Sequence, residues 1–231
     1  MARIFKALSA LISYPTEELR QAAAALRDVL DDEAIVPPAL RKELERLIEE
    51  IATGDLYDLQ ERYVLLFDRT RSLSLHLFEH VHGESRDRGQ AMIDLKAQYE
   101  RHGLVISAAE LPDFLPLFLE YLSTRPLAEA CDHLGRPAHI LIGLAERLRQ
   151  RKSPYEAVFR ALSALASMAP DAAAMAAVLE EPDSDPADLG ALDAAWETEP
   201  VTFGPAAASG CKDGLIARMR AARRPAATAR S

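Results

Sequence analysis

Residues 37–68 read PPALRKELERLIEEIATGDLYDLQERYVLLFD, and this stretch decides the fold. Leu40, Leu44, Leu47, Ile48 and Ile51 recur at the three- and four-residue spacing that gathers side chains on one face of a helix. Pro37-Pro38 separates that helix from whatever precedes it. Thr53-Gly54-Asp55 is a stop followed by a new cap: glycine ends the turn, and aspartate offers its carboxylate to the next helix's free amides. Leu56, Leu59, Tyr63, Leu66 and Phe67 then take up the same spacing.

The pattern extends in both directions. Upstream, Phe5, Leu8 and Ile12 open a helix that Tyr14-Pro15 ends, because proline disfavours helix at the residue before it. The apolar run there is broken by Lys6, Ser9 and Ser13 and leads to no small-residue cleavage site, so it reads as a folded helix and not as an export signal. Thr16 caps the next helix, with acids in its first turn and Leu19, Leu26, Val29 and Leu30 as its stripe. Downstream, the spacing predicts a helix from about Leu73 to His82, ended by Gly83, and another from about Ser85 to His102 with Met92, Leu95 and Tyr99 inward. Further helices are expected in LPDFLPLFLEYLS (111–123), from Pro137 to Gln150, and from Ser153 to Met168. No strand alternation recurs, no glycine-rich phosphate loop appears, and there is no internal repeat. The expected fold is all-α, one globular domain of about nine to eleven helices.

Composition changes near residue 180. Glu180 to Glu199 holds eight acids and no base, and the remainder is rich in Ala, Pro, Gly and Arg. The expected division is therefore a helical domain over 1–180 and a disordered or loosely docked tail over 181–231, with Trp196 and Phe203 as possible anchors. The net charge of the 231 residues is −9. From Val201 onward six bases face one acid, so that end carries +5 and the rest −14. An acidic body disfavours nucleic acid and favours a basic partner. Two cysteines in no pair motif, Cys131 and Cys211, argue against a disulfide scaffold and a thiolate metal site. No stretch reaches the roughly 20 apolar residues of a membrane span. The chain is expected to be cytoplasmic, without membrane insertion.

Half of the six histidines fall in HLFEHVHGE, residues 76–84. On a helix, with about 100° per residue, His76 and His80 share one border of the face carrying Leu73, Leu77 and Val81, while Glu79 and His82 lie on the polar side. His76, His80 and Glu79 are the candidate ligands of a metal-binding bundle. A di-iron bundle needs the Glu-x-x-His motif twice, and it occurs here once. Packing at a helix edge and a partner-facing surface are the other readings. Asp68, Arg69, Arg71, Glu79, Glu84, Arg86, Asp87 and Arg88 surround the histidines with charges of both signs. The second stretch is ELPDFLPLFLEYL, residues 110–122, in which Glu110 and Asp113 flank Pro112 at a helix start and Phe118 lies on the apolar side. It reads as a core helix with an acidic cap, or as an apolar groove with an acidic rim suited to a basic amphipathic helix. No nucleophile–base pair is evident, so no enzyme is expected.

YVLLFDRTRSLSLHLFEHVHGESRDRGQAMIDL (63–95) and ELPDFLPLFLEYLS (110–123) together resemble the NarJ family, the nitrate reductase delta-subunit chaperones, within the TorD/DmsD-like redox enzyme maturation proteins. The likeness covers most of the chain up to about residue 170. It implies an all-helical chaperone that binds the apo catalytic subunit of respiratory nitrate reductase by its basic N-terminal segment. It implies that no cofactor is bound stably here and that molybdopterin cofactor and iron–sulfur cluster insertion into the client is assisted before membrane attachment. The chaperone would be absent from the mature enzyme, and would be a monomer or a homodimer. In the wider group the second motif reads Glu-x-Pro-Asp-His. Glu110, Pro112 and Asp113 match, and Phe114 stands where the histidine would be. The partner-binding region implied is Tyr63, Phe67, Asp68, Arg69, Arg71, His76, Glu79, His80, His82, Glu84, Arg86, Asp87, Arg88, Glu110, Pro112, Asp113, Phe114 and Phe118, with no catalytic or metal-binding residue. A metal-binding bundle and a helical scaffold for another client stay open beside it.

Overall fold

A computed structural model describes residues 2–82, 86–106, 110–167 and 175–176, without the side chains of His82 and Arg86. The expected boundary near residue 180, the tail, Trp196 and Phe203 lie outside the described residues, as does Glu84. Helices α1 to α5 are Arg3–Leu11, Glu17–Gln21, Ala23–Glu33, Pro38–Thr53 and Leu56–Tyr63. Then come α6 Glu79–His82, α7 Arg86–Arg101, α8 Leu115–Ser123, α9 Leu127–Gly135, α10 Ala138–Gln150 and α11 Glu156–Leu165. The described residues are thus all-α, as the spacing predicts. None of the described helices is long and apolar enough to cross a membrane.

The punctuation works as read. Thr16 Oγ1 accepts from the Leu19 amide at 3.3 Å, and Asp55 Oδ1 from the Tyr57 and Asp58 amides at 2.9 and 3.3 Å. Gly103 takes the left-handed conformation, φ 76°, that glycine reaches without strain, and closes α7. The stripe from Leu19 to Leu30 is divided between two helices at Ala22.

Helix α1 packs on α8 through Phe5, Leu8 and Leu11 against Leu115, Leu119 and Leu122, all fully buried. Ser9 Oγ donates to the Pro116 carbonyl at 2.7 Å within that seam. Helices α10 and α11 form the other large contact, and α4 packs its expected stripe on α3 and α11.

Helix α9, Leu127–Gly135, falls where the sequence reading expects no helix, and two further places depart from that reading. After Tyr63 the chain widens into a π-helical turn, Val64–Asp68, in which the Arg69 amide donates five residues back to Val64 at 3.0 Å. The wider turn turns both Leu66 and Phe67 into the core. The helix expected from Leu73 to His82 does not form as one element. A 3₁₀ turn spans Arg71–Leu73, residues 74–78 are not helical, and only Glu79–His82 is α. His76 and Phe114 instead make an isolated antiparallel bridge, with Leu77 N donating to Asp113 O (3.1 Å) and Leu115 N to Leu75 O (2.8 Å). Backbone groups satisfied across the chain have no need of helical partners. Val81, expected on the buried face, is consequently 51% exposed.

Candidate functional site

Asp113 is the residue around which the histidine segment is built. It was read as an acid capping a helix or rimming a groove, and the structure corrects both. Its side chain is 0% exposed, and α8 begins at Leu115 with no side-chain cap. The carboxylate faces the 76–78 turn: Oδ2 accepts from the Phe78 amide at 3.0 Å, and Oδ1 lies 3.2 Å from His76 Nδ1. The Asp113 hydrogen bond outweighs burial and raises the His76 pKa. Phe114 packs its ring on the His76 ring, centroids 5.3 Å apart.

The neighbouring polar groups close on one another. Glu79 accepts from Ser74 Oγ and, at 3.1 Å, from Arg88 Nη2. Ser74 Oγ accepts from the His76 amide at 3.2 Å, and the His80 ring donates through Nε2 to the Ser74 carbonyl at 2.9 Å. The candidate metal ligands are thus turned to protein groups and not to one another: His76 to Asp113, His80 to the Ser74 carbonyl, and Glu79 to Ser74 Oγ and Arg88. Among the described residues no group of three or more His, Cys, Asp or Glu side chains is placed to hold a metal ion.

Beside this network opens a cleft of about 500 Å³, lined by Tyr14, Tyr63, Phe67, Asp68, His76, Glu110 and Phe114 together with Ser13 and Leu75. The aromatic wall is continuous. Tyr14 and Tyr63 meet edge to face at 5.5 Å, and Tyr63 and Phe67 follow at 5.0 Å. The π-helical turn lets Phe67 reach the wall while leaving Asp68 exposed at its mouth. Partial burial there raises the Asp68 pKa, and burial raises that of the Tyr63 hydroxyl. Ser13 Oγ is turned to the Ser9 carbonyl at 2.9 Å. Two carboxylates over aromatic faces suit a guanidinium or ammonium group, which gains both charge pairing and a ring face. Glu110 also lines an adjoining groove of about 320 Å³ with Leu104, Val105, Ile106, Leu117 and Tyr121.

The structure therefore gathers Tyr63, Phe67, Asp68, His76, Glu110 and Phe114 at one opening. Glu79, His80, Arg88 and Asp113 support it from behind. Pro112 supports it too, its carbonyl accepting from Tyr99 at 2.8 Å. Arg69, Arg71 and Asp87 are exposed and line no part of the cleft, and Phe118 is a core residue of α8. The positions of His82 and Arg86 side chains and of Glu84 lie outside the description. Tyr14 was missed as a site residue, because its place before a proline read only as a helix stop. Buried Arg147, on α10, was missed too: Nη1 donates to the Ser72 carbonyl at 2.6 Å and pins the segment from below.

Comparison with known proteins adds an independent finding. Residues 14–161 match the family model described as nitrate reductase delta subunit. The chain is 44% identical over 209 residues to the nitrate reductase molybdenum cofactor assembly chaperone NarJ of Escherichia coli strain K12, covering 90% of this chain and 87% of that one. It is 42% identical, over 87% of this chain and 84% of the other, to the probable chaperone NarW of the same strain. It is 31% identical to the probable NarJ of Bacillus subtilis strain 168, over 69% and 86%. The matched span contains the whole cleft apart from Ser13, whose residue number falls just before it.

Proposed function

The chain belongs to the nitrate reductase delta subunit family, and on that premise we propose that it is a chaperone of nitrate reductase molybdenum cofactor assembly. It binds the apo catalytic subunit of respiratory nitrate reductase through that subunit's basic N-terminal segment. It holds the client while the molybdopterin cofactor and an iron–sulfur cluster are inserted, before membrane attachment, and leaves the finished enzyme. It acts in the cytoplasm and carries out no reaction of its own.

The observation that carries this reading is the cleft, where the acids among the described lining residues, Asp68 and Glu110, are set against Tyr14, Tyr63, Phe67 and Phe114. Basic side chains of the client segment reach these carboxylates. Its apolar stripe lies along Leu104, Val105 and Leu117 in the adjoining groove, which Glu110 joins to the cleft. A basic amphipathic segment fits both halves at once. The cofactor is the client's cargo, and this chain's part is to bind and orient.

The test is the metal content of the client. The catalytic subunit is purified from cells with this chain, without it, and with the Asp68→Asn, Glu110→Gln double variant. Molybdenum in the client should fall without the chain and with the double variant. Full molybdenum content in all three would defeat the proposal.

A further inference from the structure

We infer that the chain carries a second docking surface, distinct from the acidic cleft and of opposite charge, for a short amphipathic helix that sets carboxylates beside an aliphatic stripe. The surface is a groove of about 260 Å³ lined chiefly by Leu77, Phe78, Val81, Leu95, Phe118 and Ile140. It draws on α6, α7, α8, α9 and α10, so five helices hold its walls.

The two openings lie back to back across one segment. Leu75 and His76 line the acidic cleft, and the next two residues, Leu77 and Phe78, line the groove. Asp113 fixes both sides, holding His76 by Oδ1 and the Phe78 amide by Oδ2. The same buried carboxylate thus positions the segment that presents His76 to the cleft and Leu77 and Phe78 to the groove.

Charge separates the occupants. Among the described residues lining the groove, Arg136 is the only Asp, Glu, Lys or Arg; it is exposed and has no hydrogen-bonded or ion-paired side-chain partner among the described residues. Its field lowers the pKa of His133, a second residue of the lining, though burial is the larger cause. Within the cleft the described acids are Asp68 and Glu110 instead. A basic segment meets a cation at the groove and two anions at the cleft, and a carboxylate-bearing segment meets the reverse. Half-exposed Val81 supplies apolar surface at the lip, where a partner helix would cover it.

The test uses the full chain and two synthetic helical peptides with the same leucine stripe, one flanked by glutamates and one by lysines, read by fluorescence anisotropy. The glutamate peptide should bind saturably to wild type. Val81→Glu should abolish that binding. Arg136→Glu should weaken it by roughly three- to tenfold and should favour the lysine peptide by a similar factor. Neither variant should alter binding of the client's N-terminal peptide to the cleft, which separates failure of this inference from failure of the chaperone reading. Failure of the glutamate peptide to bind, or equal binding to all three proteins, would overturn the inference. So would loss of the client N-terminal peptide in Val81→Glu. A concentration-dependent dimer by light scattering that Val81→Glu abolishes would also overturn it, by giving the groove to a second copy.

Discussion

His76 Nδ1 lies 3.2 Å from Asp113 Oδ1, and the two residues are 37 positions apart in the chain. Through this pair the histidine-rich segment is tied to the turn that starts α8. Asp113 is fully buried, so the contact is a structural clamp whose outer face, the His76 ring, forms part of the cleft wall.

Asp113→Ala should destabilise the fold by about 2–4 kcal/mol, because it strands the Phe78 amide and leaves His76 without its acceptor. Urea unfolding measures this. Asp113→Asn, which keeps an acceptor, should lose less. Equal stability of Asp113→Ala and wild type would remove the clamp from the account.

The clamp has a pH signature. The folded-state pKa of His76 is raised, first by its hydrogen bond to Asp113, so its protonated form is the one the fold stabilises. That contribution is fully present below the ordinary histidine value near 6.5 and is lost as pH rises through the raised folded-state value. His133 shifts the opposite way, so the comparison is wild type against His76→Gln at each pH. The stability gap between them should be widest at acidic pH and close as pH rises. A gap that does not change with pH would contradict the assignment.

Leu119 on α8 sits fully buried, and α8 packs on α1 in one of the chain's two largest helix contacts. Leu119→Ala should cost about 2–5 kcal/mol in the same unfolding measurement. A loss below about 1 kcal/mol would mean that the seam repacks and is not the core contact described.

Arg147 is buried and donates to the Ser72 carbonyl at 2.6 Å. Arg147→Leu should destabilise by about 2–4 kcal/mol by leaving buried polar groups without their cation. It should also loosen the segment from Thr70 to Ser74, read as faster amide exchange there than in α1. Unchanged exchange in that segment would rule out the pinning role.

Most of the helices were legible because their information is local. Stripe spacing, Thr16, Asp55 and Gly103 each act within a turn or two of their own position. The histidine segment was not legible as a helix because its partners are remote. Its fate depends on Asp113 and Arg147, which no local pattern announces. One local signal existed: Ser72-Leu73-Ser74-Leu75-His76-Leu77 alternates polar and apolar, the period of extended chain. The helical spacing of Leu73, Leu77 and Val81 competed with it, and cross-chain hydrogen bonds decided the outcome. The cleft was half legible. The family likeness pointed to Tyr63, Phe67, Asp68, His76, Glu110 and Phe114, and the structure gathers these at one opening. It did not distinguish them from Arg69, Arg71 and Asp87, which lie apart, or from Asp113, which is interior.

The central claim is that the Asp68–Glu110 cleft receives a basic segment of the nitrate reductase catalytic subunit. The most direct measurement is a calorimetric titration of the full chain with a peptide from that subunit's N-terminus, repeated at low and high salt. The account predicts saturable one-to-one binding that weakens as salt screens the carboxylates, and a loss of that salt dependence in the Asp68→Asn, Glu110→Gln variant. No binding by wild type, or binding of equal strength and equal salt dependence in the variant, would contradict it.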